Sequence, residues 1–74
     1  MKYTVIIEKG LESGYVVYCP ALKGCVSQGV DKEQAVDNIR EAIAVYVEAL
    51  MEDGLPVPTE IGKEMVVVEI DRPL

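Results

Sequence analysis

Short stretches with strand-like patterns and one long stretch with helical spacing divide the chain. The short stretches are apolar or alternate between apolar and polar, and glycine or proline residues bound them, as is typical of β-strands. In the long stretch, apolar residues recur three or four positions apart, which is typical of an amphipathic helix. The pattern predicts strands at 3–9, 15–19, 25–29 and 64–70, and a helix at 32–53.

The predicted helix has a recognisable signal at each end. Asp31 is suited to the N-cap position, and Gln34 three residues later completes a capping-box pattern. Gly54 is suited to the position just after the helix, and Pro56 cannot continue it. The helix is therefore the best-defined element of the sequence.

The order of the elements is β-β-β-α-β, which indicates an α+β fold. Three strands joined by hairpins are followed by a helical crossover, which should be right-handed and place the last strand parallel to the first. We expect sheet order 3-2-1-4 with one long helix on one face. The length of 74 residues predicts a single domain over 1–74.

One helix covers only one face of such a sheet. Tyr3, Val5 and Ile7 alternate toward the helix, which leaves an apolar set on the far face. A contiguous exposed apolar patch marks an interaction site. We expect a homo-oligomer, a dimer or higher, that forms through the far face and the edge strands. The residues predicted for that interface are Ile6, Val16, Met65 and Val67.

Charge and composition exclude several functions. The formal net charge is −6, and the 7 Lys and Arg residues are scattered singly, which argues against binding of nucleic acid. The absence of His excludes His-based acid–base catalysis and His metal ligands. We expect no enzyme, no cofactor and no metal site. The sequence has neither an apolar run long enough to span a membrane nor a signal peptide, so we expect a cytoplasmic protein.

The cysteines and tyrosines leave alternatives open. Cys19 and Cys25 have a spacing typical of neither zinc nor redox motifs. We interpret them as small buried hydrophobic residues, with a reactive thiol and a disulfide as alternatives. Tyr3 and Tyr46 fit the core better than a ligand pocket. One of two further tyrosines must lie on the far sheet face, where it is a candidate interface anchor; these are Tyr15 and Tyr18.

The run from Gly14 to Gly54 resembles the HicB family of antitoxins. Its motifs are Gly-Tyr-Val-Val-Tyr at 14–18, Pro-Ala-Leu-Lys-Gly-Cys at 20–25, Gly29, and Glu-Gln-Ala at 33–35 opening a long helix. The tail at 52–58 is similar to the helix exit of that family. Ala21 and Lys23 depart from the family pattern, in which Asp and Pro are common, and Asp31 replaces the usual capping Thr.

The resemblance implies a fold and a partner. The fold is a partial ribonuclease-H-like domain that oligomerises, and the partner is a small HicA toxin that cleaves messenger RNA. Many members carry a further C-terminal DNA-binding segment. Because the sequence ends at Leu74, directly after the predicted fourth strand, we expect this chain to lack that segment and autorepression.

A ribonuclease-H-like fold also invites a nuclease hypothesis. Such chemistry needs several carboxylates that converge on metal ions. We interpret the acidic residues as a solvated surface instead. The candidates are Glu8, Glu41, Glu48, Glu69 and Asp71.

The acidic helix has two interpretations, namely solubility or an acidic surface that covers a basic, RNA-binding toxin. We predict an antitoxin that binds a small basic HicA-like toxin. The alternative is an orphan oligomeric module of the same family with no toxin. The residues predicted to contact the partner are Tyr18, Leu22, Glu48 and Glu52.

Overall fold

A computed structural model describes residues 1–71, and the sequence-predicted α+β class is confirmed there. The described elements are β1 (Ile6–Lys9), β2 (Tyr15–Tyr18), β3 (Val26–Gly29) and α1 (Lys32–Glu52). The strands form one antiparallel sheet of order β1-β2-β3. Helix α1 packs across β3 and β2 on one face. The 3-2-1 part of the predicted order is therefore confirmed.

The core lies between α1 and the middle of the sheet. Val17 of β2 and Ile39 of α1 are almost completely buried and meet at its centre. Tyr3 and Tyr46 pack against this cluster, as the sequence predicts. The buried residues are Val17, Cys19, Leu22, Cys25, Ala35, Ile39 and Val47.

Strand β1 begins later than the sequence predicts because its ladder with β2 ends at Pro20. Ile6 pairs with Tyr18, so the same register would place Thr4 opposite Pro20, which has no N–H to donate. The N–H of Thr4 donates instead to the two carboxylate oxygens of Glu60, at 2.7 and 3.0 Å. The start of β1 is thus attached to the chain that follows the helix.

The predicted fourth strand does not belong to the chain's own sheet. Within residues 1–71, residues 64–70 carry no strand pairing, and all of them are exposed. Their apolar side chains point to both sides, so a strand here must be covered on both faces. The single helix already packs over β2 and β3. The parallel pairing of 64–70 with β1 within one chain was a wrong prediction, and residues 72–74 lie outside the described part.

Both helix ends follow the sequence signals. The N–H of Gln34 donates to Asp31 Oδ1 at 2.7 Å, and Gln34 Oε1 in return accepts from the N–H of Val30 at 2.8 Å. Gly54 has φ +67 and donates to the carbonyl of Met51, while Leu55 donates to that of Leu50. This pair of bonds is a Schellman motif, which ends the helix one residue earlier than predicted.

The end of β3 lies directly against the first turn of α1. A Cβ placed on Gly29 would approach the backbone nitrogen of Ala35 to 2.4 Å. Only a residue without a side chain allows this contact. Gly29 therefore fixes how the helix sits on the sheet.

Candidate protein-interaction surfaces

The exposed side of α1 carries a stripe of three acidic residues around one apolar residue. Their spacing of four, three and four positions puts them on one line along the helix. Val45 lies in the middle of this line and is 61% exposed, although it is apolar. We call this set the acidic stripe, and its members are Glu41, Val45, Glu48 and Glu52.

The cations of α1 do not neutralise the acidic stripe. Arg40 lies 3.5 Å from the carboxylate of Asp37, and Lys32 lies 5.9 Å from the ring centroid of Tyr15. The last turn contains no basic residue, so Glu52 faces the negative end of the helix dipole. Glu48 and Glu52 are also like charges four positions apart, which destabilises a helix slightly. The stripe is therefore unfavourable for the stability of the isolated chain.

A groove runs beside the acidic stripe between α1 and β3. Its volume is about 470 Å³, and Glu41 and Val45 line it from the helix. The other lining residues are Ser27, Asn38, Ala42 and Tyr46. A side chain of a partner that contacted the stripe could enter this groove. Neither the groove nor the exposure of Val45 was predicted from the sequence, although the spacing 41, 45, 48 and 52 is visible there.

The far face of the sheet carries a second candidate surface. The strand register aligns Ile6, Tyr18 and Val26 in one row across the three strands. Val16 lies in the next row on the same face, because side chains two positions apart point the same way. Tyr18 is half-buried and Val26 is exposed. This row, which we call the far-face row (Ile6, Tyr18 and Val26), is an uncovered apolar strip.

The structure separates the residues predicted to bind a partner. Tyr18 points away from α1, whereas Glu48 and Glu52 lie on the outer side of α1. Tyr18 instead shares its face with Ile6 and Val16, the residues predicted for self-association. The predicted site is thus divided between two opposite surfaces.

Leu22 is not on an accessible surface. It is 1% exposed and belongs to the core. Its N–H donates to the carbonyl of Cys19, and its own carbonyl accepts from the N–H of Cys25. These bonds close a tight turn after Pro20, and the Leu22 side chain is buried beneath it. The prediction that Leu22 anchors a partner was therefore wrong for this conformation.

Both thiols are buried, and the reactivity of the Cys25 thiol is lowered. Cys19 and Cys25 are both free and both lie in the core. Burial, together with the neighbouring Cys19, raises the pKa of the Cys25 thiol above its ordinary value. A raised pKa lowers the fraction of the reactive thiolate. This agrees with the interpretation of Cys25 as a small core residue.

Tyr3 holds the connection after the helix against the start of the sheet. Its hydroxyl donates to the carbonyl of Pro58 at 2.5 Å. Burial raises the pKa of Tyr3, and the charges of Cys19 and Glu60 raise it further. The hydroxyl of Tyr46 donates to the carbonyl of Lys23 at 2.8 Å. In this structure, each hydroxyl therefore donates a hydrogen bond that joins two parts of the chain.

Two further findings concern residues 1–71 only. No three Asp, Glu or Cys side chains in this part lie together in a way that could hold a metal ion. The carboxylates considered for a nuclease thus form no such cluster there. The helix described in this part does not combine the length and apolar character needed to cross a bilayer.

Residues 3–71 match the family model described as HicB-like antitoxin of bacterial toxin-antitoxin system. Among curated proteins, a UPF0150 protein of Synechocystis is 53% identical over 58 residues, which are 78% of this chain and 73% of that protein. A UPF0150 protein of Thermoplasma acidophilum is 46% identical over 67 residues, which are 90% of this chain and 97% of that protein.

Two matches carry names that refer to toxin-antitoxin systems. Antitoxin HicB 1 of Photorhabdus laumondii is 31% identical over 72 residues, which are 95% of this chain and 46% of that protein. A chain of a solved HicA3 and HicB3 toxin-antitoxin complex aligns with a TM-score of 0.66 and 37% identity. The alignment covers 80% of this chain and 67% of the solved chain.

Proposed function

We propose a function from one premise: the chain belongs to the family of HicB-like antitoxins of bacterial toxin-antitoxin systems. It acts as an antitoxin that binds a small basic toxin similar to HicA and neutralises it. The observation that carries this proposal is the 37% identity and TM-score of 0.66 with a chain of a HicA3 and HicB3 toxin-antitoxin complex.

The acidic stripe is the proposed contact surface for the toxin. A protein that grips RNA presents Lys and Arg around its cleft, and an acidic surface accelerates encounter with such a partner. Steering alone is weak at physiological salt, where the Debye length is about 8 Å. Lasting inhibition needs a desolvated apolar contact as well, and Val45 is exposed in the middle of the stripe. A residue of this kind replaces Leu22 as the proposed anchor.

The unfavourable electrostatics of the stripe support a binding role. Glu48 and Glu52 repel each other, and Glu52 also opposes the helix dipole. Positively charged groups of a toxin would relieve both effects on binding. A surface needed only for solubility has no requirement for charge at the end of the helix where charge destabilises it.

The proposed function also covers catalysis, location, nucleic-acid binding and self-association. The chain acts by binding, without catalysis, in the cytoplasm, and it does not bind nucleic acid itself. It also self-associates, and the far-face row with the exposed residues Met65 and Val67 supplies apolar surface for this. The alternative is an orphan oligomeric module without a toxin. The same apolar surface favours this alternative, because self-association can use that surface when no toxin is present.

Co-purification from the native host tests the toxin proposal. We expect the tagged chain to retain a small basic protein, and Glu48→Lys with Glu52→Lys to lose it. A matched control reverses the charge of Glu12, an exposed residue of the loop between β1 and β2, and should retain the partner. Retention of no small basic protein, or equal retention by all three proteins, would favour the orphan module or another contact surface.

A further inference from the structure

Residues 64–70, which we call the C-terminal segment, expose a row of apolar side chains. Val67 is 96% exposed, and every residue from Ile61 to Asp71 is exposed. The segment has the composition of a buried strand, because apolar residues, most of them β-branched, lie on both of its faces. Its exposed apolar residues are Met65, Val66, Val67, Val68 and Ile70.

The dimensions of the chain indicate how much surface remains to be covered. The accessible surface is 6356 Å², which exceeds by about 1,900 Å² the value expected for a compact chain of this mass. The radius of gyration is 14.6 Å, against about 11 Å for a compact chain of 74 residues. A standard protein interface needs only about 800 Å² from each partner. The excess is thus sufficient for a stable dimer.

Within residues 1–71, no strand pairs with the outer edge of β1, and this edge fits the segment. Gly10 donates to the carbonyl of Gly14 across the hairpin. The direction of the backbone hydrogen bonds alternates along an antiparallel strand. The N–H and C=O groups of Ile6 and Glu8 therefore point toward β2. Those of Ile7 and Lys9 point to the outer edge of β1. An open edge of this kind is a template for a further strand.

A largely apolar groove, to which Lys2, Arg40 and Glu60 also contribute, lies beside that edge. It has a volume of about 600 Å³, between the chain before β1 and helix α1. Val5 lines it from the sheet side, and three apolar residues line it from the helix: Val36, Ile39 and Ile43. A strand added to β1 would direct alternate side chains into this groove.

The segment does not run along the edge of its own β1. The Glu60 carboxylate is bonded to Thr4, and Lys63 donates to the carbonyl of Glu60 in a turn whose Gly62 has φ +79. Beyond this turn, Glu64 and Met65 line a groove together with Pro20 and Ala21. The chain therefore passes the end of the β2–β3 hairpin, and the part that the structure describes does not pair with the outer edge of β1.

We propose that the C-terminal segment of one copy pairs with the β1 edge of a second copy, and reciprocally. A two-fold exchange of this kind satisfies both edges at once. Val66, Val68 and Ile70 then enter the groove, while Met65 and Val67 lie beside Ile6 on the far face. This inference names the contact behind the proposed self-association and rests on that part of the proposed function, but it does not require a toxin.

Light scattering on the purified full chain gives the first test. We expect a dimer, with twice the mass of the 8.1 kDa chain, at micromolar concentration. The double variant with Val66→Asp and Val68→Asp should raise the dissociation constant of the dimer at least tenfold. Leu11→Asp, at an even more exposed apolar residue of the β1–β2 loop, should leave the dimer unchanged. A wild-type monomer would overturn both self-association and the exchange, and a dimer that resists the double variant would overturn the exchange alone.

Cross-linking between variants that each carry one added cysteine gives the second test, in which the native Cys19 and Cys25 stay buried in the core. Chains with Ile6→Cys are mixed with chains with Val67→Cys, oxidised, and analysed by mass spectrometry for the 6–67 peptide pair. We expect this pair between chains, and we expect far less with Val68→Cys, whose side chain points to the other side of the strand. A 6–67 pair found only within one chain that carries both cysteines, or equal yields from 67 and 68, would contradict the exchange.

Discussion

The Glu60 carboxylate accepts hydrogen bonds from the backbone N–H of Thr4 at 2.7 and 3.0 Å, across 56 residues of sequence. The Thr4 hydroxyl donates to the same carboxylate at 3.2 Å. Together with the bond from Tyr3 to Pro58, this contact attaches the chain after the helix to the start of the sheet. It therefore determines where the C-terminal segment leaves the folded part.

Replacement of Glu60 by Gln should destabilise this attachment. Gln cannot supply two charged acceptor oxygens, and a hydrogen bond to a charged group contributes roughly 1.5–3 kcal/mol when shielded from water. Glu60 is only half-buried, so we expect a loss of about 1 kcal/mol in the free energy of unfolding. Denaturant midpoints measure it, with Glu12→Gln as an exposed control that should lose almost nothing.

Replacement of Asp31 by Ala should weaken the start of α1. The side chain of Asp31 accepts the N–H of Gln34, which otherwise has no partner within the helix. Loss of such a cap costs about 1 kcal/mol, with a range of roughly 0.5–2 kcal/mol. Chemical denaturation should show this loss for Asp31→Ala and nearly wild-type stability for Asp31→Asn. Equal loss in both variants would mean that the carboxylate charge, rather than the cap, matters.

Replacement of Gly29 by Ala should be among the more damaging single-methyl changes. The added Cβ would lie 2.4 Å from the nitrogen and 2.8 Å from the Cα of Ala35, and backbone atoms cannot rotate away. Overpacking of this kind costs about 1–3 kcal/mol. Thermal unfolding should show a clear loss for Gly29→Ala and little change for Gln28→Ala, its exposed neighbour in β3.

Stability should fall with rising pH partly because of Cys25. Burial raises the pKa of this thiol in the folded state above the ordinary value near 9.0. The unfolded chain then releases the proton at lower pH than the folded chain, so the stability contributed by the neutral thiol is present below about pH 9 and is lost above it. Unfolding measured from pH 7 to 10.5 should show a shallower decline for Cys25→Ala. An unchanged slope in that variant would assign the decline to other groups.

The charge of Glu52 should affect stability and toxin binding in opposite directions. Neutralisation by Glu52→Gln removes repulsion with Glu48 and the conflict with the helix dipole, so we expect a gain of a few tenths of a kcal/mol in stability. The same change should slow association with the toxin and reduce its dependence on salt. Asp37→Gln, outside the stripe and paired with Arg40, should affect association less. Stability gained with no change in association would support the solubility interpretation.

The sequence predicted the elements that local signals define. The cap at Asp31 and the Schellman glycine Gly54 act through hydrogen bonds to residues nearby in the chain. Pro20 ends its strand because it has no N–H to donate. Leu22 was misplaced because spacing does not show which way a turn residue points, and here two backbone bonds hold the turn over it. Val45 was overlooked because it lies outside the apolar stripe of the helix, where a single apolar residue gives no periodic signal.

The pairing of residues 64–70 depends on information that is not local. The apolar side chains on both faces showed correctly that the segment needs cover. They carry no information on whether the cover comes from the same chain or from another. The Glu60–Thr4 contact, which directs the segment away from its own β1, joins residues too distant in sequence for any periodic pattern to reveal.

The most direct test of the antitoxin account is growth rescue. Each small basic protein encoded next to this chain is expressed alone and together with it. The account predicts that one of them arrests growth alone, that co-expression restores growth, and that Glu48→Lys with Glu52→Lys abolishes the rescue while Glu12→Lys preserves it. If none arrests growth in a way that this chain relieves, the antitoxin function is contradicted.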